Sequence, residues 1–454
     1  MYDYLDILSD FAVALQFNDL PESVIEQTKK YIADYYAASC AGFRVNKTFN
    51  EAVIEVVRSF GGYEQSTILF EKRKFTVEEA AFVNAVYAHG ADMDDGNKNA
   101  AGHIGTHVIP AVFSVAEWRN RLWRDVVVAI NVGYEFFNRI ASAAQPSLYQ
   151  KGFHSTGIVG AIACAAASAK ILTLGKDKIY DAVSIAAVQS SGLIIIDESG
   201  QGCKPINPGN AARIGVFSAL LAMHGIKSPR NTLQSAKGWF RAYSGNQYQK
   251  VDVQDLGKNF TIMESYLKLY PSCRHTHSCI DAALKLRNEI VSTLSMGIAD
   301  IDCVDIFTYP SAIRSAGAIY HPNNTDEAKF SIPYAVAVAL WKGNFELSDL
   351  MIKGEPPQVS KLSDSIVLRP DESLENRERG IRGCRMVIHM NNGICLERTI
   401  ETPKGEGEFS LNWDDIRKKM LSCSEGVLEE TKALSIIEKC QMIDVDKQFE
   451  ILLV

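Results

Sequence analysis

Residues 152–171 read GFHSTGIVGAIACAAASAKI, and this stretch decides the kind of fold the chain adopts. From Gly157 to Ala169 it runs thirteen residues without a charge and ends at Lys170. That is too short to cross a bilayer, which takes about 20 apolar residues. Most of its residues are Ala, Gly and Ser, with Ile and Val between them. A helix that is apolar all round, with small side chains, is buried and lies close to its neighbours. The run therefore predicts a helix packed inside a helical domain, with His154 at its N-terminal end.

Segments on either side repeat the helical pattern. Leu20-Pro21-Glu22-Ser23-Val24-Ile25 opens a helix with Pro21 at its first position and Glu22 in its first turn. Val24, Ile25, Thr28 and Ile32 follow at helical spacing, toward a stop at Ala41-Gly42. Val77 to Tyr87 and residues 110–118, 123–143, 176–190 and 210–225 read likewise. The pattern changes near residue 265. Ile301, Cys303 and the run Val304 to Tyr309 predict a strand, and Arg382 to Glu401 predicts a hairpin turning at Asn391-Asn392-Gly393. After Pro403-Lys404-Gly405 the chain returns to helix, with Asn412 as N-cap and Asp414 and Asp415 in the first turn. The expected fold is mainly α. A large all-helical domain is formed by both chain ends, residues 1–265 and 405–454, and a smaller α+β lid domain is inserted at 266–404.

The length of 454 residues gives a prior of about three domains, or two if one is large. With 47 Lys and Arg against 54 Asp and Glu, the net charge is −7. A mildly acidic chain lacks the general basic face that nucleic-acid binding requires. The start Met1-Tyr2-Asp3-Tyr4-Leu5-Asp6 has neither the basic region nor the apolar core of a signal peptide. The ten cysteines include no C-x-x-C pair, so they read as reduced thiols and not as a zinc or cluster site. The expectation is a cytoplasmic protein with no membrane span, no nucleic-acid partner, no metal and no organic cofactor.

The chemistry-bearing residues gather in loops and at helix starts, where function usually resides. His89, His103 and His107 flank Asp92-Met93-Asp94-Asp95, a set suited to proton transfer. The H-x₃-H spacing of His103 and His107 fits a one-turn ligand pair, but no third ligand stands at a recognised spacing. His154, at a helix N-terminus, meets a field that keeps an imidazole neutral and able to act as a base. Lys204, in Gly202-Cys203-Lys204-Pro205, and Lys268, in Lys268-Leu269-Tyr270-Pro271, both adjoin loops that feed helices. Together with Arg274 they suit the binding of a di- or tricarboxylate. His275, His277 and Tyr320 are further candidates for substrate contact.

Five ordered blocks carry a family resemblance. They are Ala88-His89-Gly90-Ala91-Asp92-Met93-Asp94-Asp95 with His103 and Val108-Ile109-Pro110-Ala111; Gly152 to Gly157 with its Ala-rich helix; Lys204-Pro205 with Gly209-Asn210-Ala211-Ala212; Tyr270 to His277; and Glu327-Ala328-Lys329-Phe330-Ser331-Ile332-Pro333-Tyr334. The sequence resembles the MmgE/PrpD family. That family includes 2-methylcitrate dehydratases without an iron–sulfur cluster, cis-aconitate decarboxylases and an iminodisuccinate epimerase. The resemblance implies a helical domain with a smaller α+β domain, and a homodimer. It carries over Asp92, His103, His154, Lys204 and Lys268 as the functional residues. The chain also departs from the pattern. Gly96 stands where the decarboxylases have Thr, Asn97-Lys98-Asn99 replaces a Trp-His-Pro run, Ile104 replaces a Pro, and Asn207 stands where many members have His.

The reading that follows is a lyase, a cluster-free dehydratase of a small hydroxylated polycarboxylate such as 2-methylcitrate. It would work by α-proton abstraction and an enediolate-like intermediate. In this reading His154 is the base, His103 is the acid oriented by Asp92, and Lys204 and Lys268 are the clamps. Alternatives are an epimerase of an aspartate- or succinate-like diacid, a cis-aconitate-type decarboxylase, and a carboxylate-binding dimer without activity.

Overall fold

The structure is a computed structural model that describes residues 3–195, 202–245, 247–352, 354–376 and 381–453. The chain divides into two compact units. The first comprises residues 1–90, 94–267 and 412–454; the second comprises 91–93 and 268–411.

In the first unit the helices that frame the site are α1 (Glu22–Val45), α2 (Val77–His89), α3 (Gly105–Trp118), α4 (Trp123–Ala144), α5 (Ser155–Ile171), α6 (Lys176–Gln189) and α7 (Ile206–Met223). The stretch quoted at the outset is α5, and it touches α3, α4, α6 and α7. Small residues make this possible. A Cβ added at Gly215 of α7 would lie 2.2 Å from the Cβ of Cys164 in α5, so the two helices meet there with no side chain between them. All of α5 except Lys170 is buried. No described helix is long and apolar enough to cross a membrane.

Several boundaries move. Pro21 is the N-cap of α1, with extended ψ, and not its first helical residue; α1 also continues through Gly42 to Val45. Helix α3 begins at Gly105 and encloses Pro110. Residues 105–116 of it are fully enclosed, so burial of this apolar helix overrides the single hydrogen bond that proline removes. Helix α7 starts at Ile206, not near Asn210, which places Asn207 in its first turn. The C-terminal segment returns to the first unit. Asn412 caps Trp413–Ser424 by accepting from the N–H of Asp415, as its sequence predicts. This helix packs on α1, where Lys419 forms a buried ion pair with Asp34.

In the second unit four strands form one sheet: β1 (Ile301–Thr308), β2 (Ile366–Pro370), β3 (Cys384–Met390) and β4 (Cys395–Ile400), in the order β2-β1-β3-β4. β1 and β2 are parallel, while β1–β3 and β3–β4 are antiparallel. In β3, buried residues alternate with half-exposed ones throughout. The helix α8 (Arg274–Asn288) packs on β3 and β4, leaving the other face of the sheet to solvent. The hairpin between β3 and β4 turns where the sequence predicts, and the positive φ falls on Gly393 alone.

Candidate active site

The loop between α2 and α3 holds the carboxylates, and its own turn chemistry folds it back. The side-chain oxygen of Asn97 accepts from the N–H groups of Asn99 and Ala100, and Asn97 pairs with Gly102 through the backbone. This Asx turn is what the Asn97-Lys98-Asn99 departure builds. It delivers His103 beneath Asp95.

His103 is fixed at three points. Its backbone N–H donates to Oγ1 of Thr156 in the first turn of α5, at 3.1 Å. Its Nδ1 lies 2.8 Å from the backbone oxygen of Asp95 and 3.4 Å from Oδ2 of Asp94. A carbonyl oxygen only accepts, so Nδ1 must carry a proton. In the neutral ring the lone pair is then on Nε2. The Asp94 carboxylate also lies 2.7 Å from Nδ1 of His89, the last residue of α2. The ring centres of His89 and His103 are 4.9 Å apart. Within this unit, Asp94 is a carboxylate beside His103.

His154 is the N-cap of α5, yet its side chain makes no capping bond. Its Nδ1 faces the side-chain nitrogen of Asn207 at 3.0 Å. The same nitrogen donates to the carbonyl of Leu193 at 3.2 Å, which orients the amide so that NH₂ faces the ring. Nδ1 of His154 therefore accepts, and in the neutral ring the proton is on Nε2. The ring centre of His154 is 6.2 Å from that of His89. In their neutral forms His103 and His154 thus hold opposite tautomers.

Asp95 sits behind His103. It accepts from the N–H of Gly105, the first residue of α3, at 2.7 Å, and from the hydroxyl of Tyr134 in α4 at 2.6 Å. Burial pushes its pKa up to about 8; the Tyr134 hydrogen bond opposes the shift, and the charges of Asp94 and Asp34 add to it. Sequence reasoning noticed Asp95 but not this role, because Tyr134 is 39 residues away.

Gly96 adjoins this pair. A Cβ there would lie 2.5 Å from the hydroxyl of Tyr266, and the two residues form an antiparallel bridge. Tyr266 fills the space that a side chain at position 96 would need. Lys204 is half-buried in the turn leading into α7, one residue before the N-cap Pro205.

His103 and His107 do not form a ligand pair on one helical turn, because His103 lies ahead of α3. His107 is buried with Nδ1 3.3 Å from the sulfur of Cys164, and burial lowers its pKa to about 3. His89, Asp94 and His103 do bring ligand atoms within 4.8 Å of one another. Nδ1 of His103 is committed as a donor to a carbonyl, so an ion there would have to take Nε2.

The second unit places the remaining candidates. Asp92 has φ of 54°, a left-handed backbone that turns its carbonyl and its carboxylate toward one ammonium group. Lys268 donates to that carbonyl at 2.6 Å and lies 3.1 Å from Oδ1. Arg274 is paired with Glu406 at 3.2 Å and donates to the carbonyls of Pro403 and Lys404. It also donates to Nδ1 of His277, while Nε2 of His277 faces the carbonyl of Ser272. Burial, then the Arg274 charge, holds His277 well below its ordinary pKa. His275 meets the hydroxyl of Tyr309 at 2.6 Å, and burial, then the charge of Arg382, lowers its pKa to about 3. Tyr320 is half-buried, and its carbonyl accepts from Ser363.

A helical unit with histidines gathered at the start of a small-residue helix, followed by an α+β unit, matches a known pair of domains. Residues 6–252 match the MmgE/PrpD N-terminal domain and residues 270–443 the MmgE/PrpD C-terminal domain. The chain belongs to the MmgE/PrpD family. It is 26% identical over 453 residues to a cis-aconitate decarboxylase of Aspergillus terreus, covering 96% of this chain and 92% of that protein. It is 26% identical over 459 residues to the cis-aconitate decarboxylase of Homo sapiens, covering 96% and 93%. Similarity to the alkylcitrate dehydratase phiI of a fungal species is also 26%, over 227 residues, or 45% and 44% of the two chains.

Proposed function

We propose that the protein is a lyase acting on a small hydroxylated di- or tricarboxylate, and that its reaction is dehydration. The supporting observation is the opposite tautomers of His103 and His154. Removing water from a β-hydroxy acid needs a base for the α-proton and an acid for the departing hydroxyl, both ready before the reaction starts. His103, with its lone pair on Nε2 and Asp94 beside Nδ1, suits the base, because a carboxylate there stabilises the imidazolium that forms. His154, with its proton on Nε2, suits the acid. Lys204 supplies positive charge for a substrate carboxylate as enediolate charge develops. The family resemblance adds Lys268 to this role. In the second unit its partner is Asp92, so the two act as a pair.

Decarboxylation is the second reading, favoured by relatives of that name that span nearly the whole chain. Gly96, which stands where the family resemblance puts a Thr in the decarboxylases and has Tyr266 against it, weighs against it. The test offers 2-methylcitrate, citrate and cis-aconitate separately in D₂O, with NMR for the alkene and for deuterium uptake, and with a CO₂ assay. Dehydration gives a new alkene from a hydroxy acid with no CO₂. Release of CO₂ from cis-aconitate selects the second reading. Uptake of deuterium with inversion and no alkene would select an epimerase, and no reaction with any diacid would overturn the lyase reading.

A further inference from the structure

The solvent face of the sheet carries a second set of chemistry-bearing residues. In its register, Cys303 of β1 lies opposite His389 of β3, and His389 lies opposite Cys395 of β4. These residues share the face turned away from α8, and Asp305 stands two residues beyond Cys303 on the same side of β1. By sequence His389 looks isolated. The strands assemble its partners from three separate segments.

Nδ1 of His389 lies 3.2 Å from the sulfur of Cys395. Its Nε2 lies 3.1 Å from Oδ2 of Asp305. Asp305 is in turn held by Arg369 of β2 at 2.7 Å. Burial raises the Asp305 pKa, but hydrogen bonds from Arg369 and His389 outweigh it, so the carboxyl stays below its ordinary range and is ionised. An ionised carboxylate only accepts, so Nε2 of His389 carries a proton and Nδ1 of the neutral ring is the acceptor for the thiol. The sulfur and the carboxylate face different nitrogens of the ring, so the three groups do not converge on one ion. They form a line of nucleophile, base and orienting group. Cys395 is exposed, and the side chain of His389 is 35% exposed, so small solutes reach the sulfur.

We propose that Cys395, with His389 as its base and Asp305 as the positioning residue, is a thiol modification site that reacts with peroxide. The sulfur attacks one peroxide oxygen and the O–O bond breaks. The thiol proton passes to Nδ1 of His389 and on to the departing hydroxide, which leaves as water. The products are Cys395 sulfenic acid and one water; the sulfur is oxidised by two electrons and the peroxide is reduced. Cys303 does not resolve this product. It lies two strands away, at about 9.6 Å between backbones from the usual strand spacing. That exceeds the Cα separation of about 7 Å beyond which a disulfide cannot close. A soluble thiol must do it, giving a mixed disulfide and a second water.

Cys203 supplies an internal reference: it is also exposed and has no histidine partner among the described residues. The full chain is treated with limiting hydrogen peroxide in the presence of dimedone, and labelling at each cysteine is followed by peptide mass spectrometry. Cys395 is expected to label about tenfold faster than Cys203. His389→Gln should bring it to the rate of Cys203, while Cys203 itself is unchanged. Asp305→Asn should slow Cys395 about threefold and change the pH profile of labelling, which loss of a merely structural contact would not do. Equal labelling of Cys203 and Cys395 in the unaltered protein would overturn the proposal. So would an unchanged Cys395 rate in His389→Gln. If that variant does not fold, an unchanged rate and pH profile in Asp305→Asn decides against it.

Discussion

The side-chain amide of Asn207 donates to Nδ1 of His154 at 3.0 Å, and this one bond sets which nitrogen of His154 carries the proton. Replacing the donor by an acceptor should invert the ring. In Asn207→Asp the carboxylate accepts from a protonated Nδ1, so in the neutral ring the lone pair moves to Nε2 and His154 can no longer act as an acid there. Turnover should fall by ~10²-fold, the usual contribution of a positioned acid. Asn207→Ser, which can still donate, should retain more. Steady-state kinetics on the substrate identified by the screen, with pH profiles, measure both.

The two histidines should separate by exchange. His103→Gln is expected to abolish incorporation of deuterium at the α-carbon together with net turnover, each by ~10²-fold or more. His154→Gln should lose net dehydration but retain exchange, since exchange needs no departing group. NMR in D₂O reads both quantities in one sample. Exchange that survives in His103→Gln and vanishes in His154→Gln would restore the reverse assignment.

Asp95 makes folding stability depend on pH. Its pKa is about 8 in the folded chain and near 3.8 when unfolded. A raised pKa means the folded state binds more protons, so the contribution is full below about pH 4 and is lost as pH rises through about 8. The slope in that window is at most ~1.4 kcal/mol per pH unit. Asp95→Asn keeps an acceptor for Gly105 and a donor for Tyr134 but cannot ionise. Urea denaturation between pH 5 and 8 should show a shallower decline for Asn than for the unaltered protein.

Gly96→Thr should be destabilised by ~1–3 kcal/mol, because its Cβ meets the Tyr266 hydroxyl at 2.5 Å and the ring at 2.6 Å. Tyr266→Ala in the same chain should recover part of that loss. Thermal denaturation of the single and double variants gives the coupling directly.

Lys268→Met leaves the Asp92 carboxylate, whose side chain is 5% exposed, without this cation, at a cost of ~3–5 kcal/mol. Lys268→Met with Asp92→Asn should recover most of the stability. If the double variant is stable and inactive, the pair has a role in turnover beyond folding.

Local information was enough for much of the architecture. The small-residue run of α5, the alternation in β1 and β3, the turn at Gly393 and the cap at Asn412 each depend on a few neighbouring residues, and each lies where the pattern put it. The family blocks name His103, His154, Lys204, Asp92 and Lys268 as candidates from residue type and order alone. Residue spacing could not say what each group touches. His389 looked isolated because Asp305 is 84 residues away along the chain and on another strand.

What the sequence by itself determined is therefore the helical class of the larger part, the presence of the strands, the family and the residue types available for chemistry. These follow from periodicity, turn chemistry and motif order, which are properties of neighbours in the chain. What only the tertiary structure decided is the protonation pattern. A histidine's tautomer is set by whichever donor or acceptor is brought to its other nitrogen. For His103 that is a carbonyl eight residues away, and for His154 an amide 53 residues away. Only the packing of α5 against α7, and the turn made by Asn97, carry those partners into place.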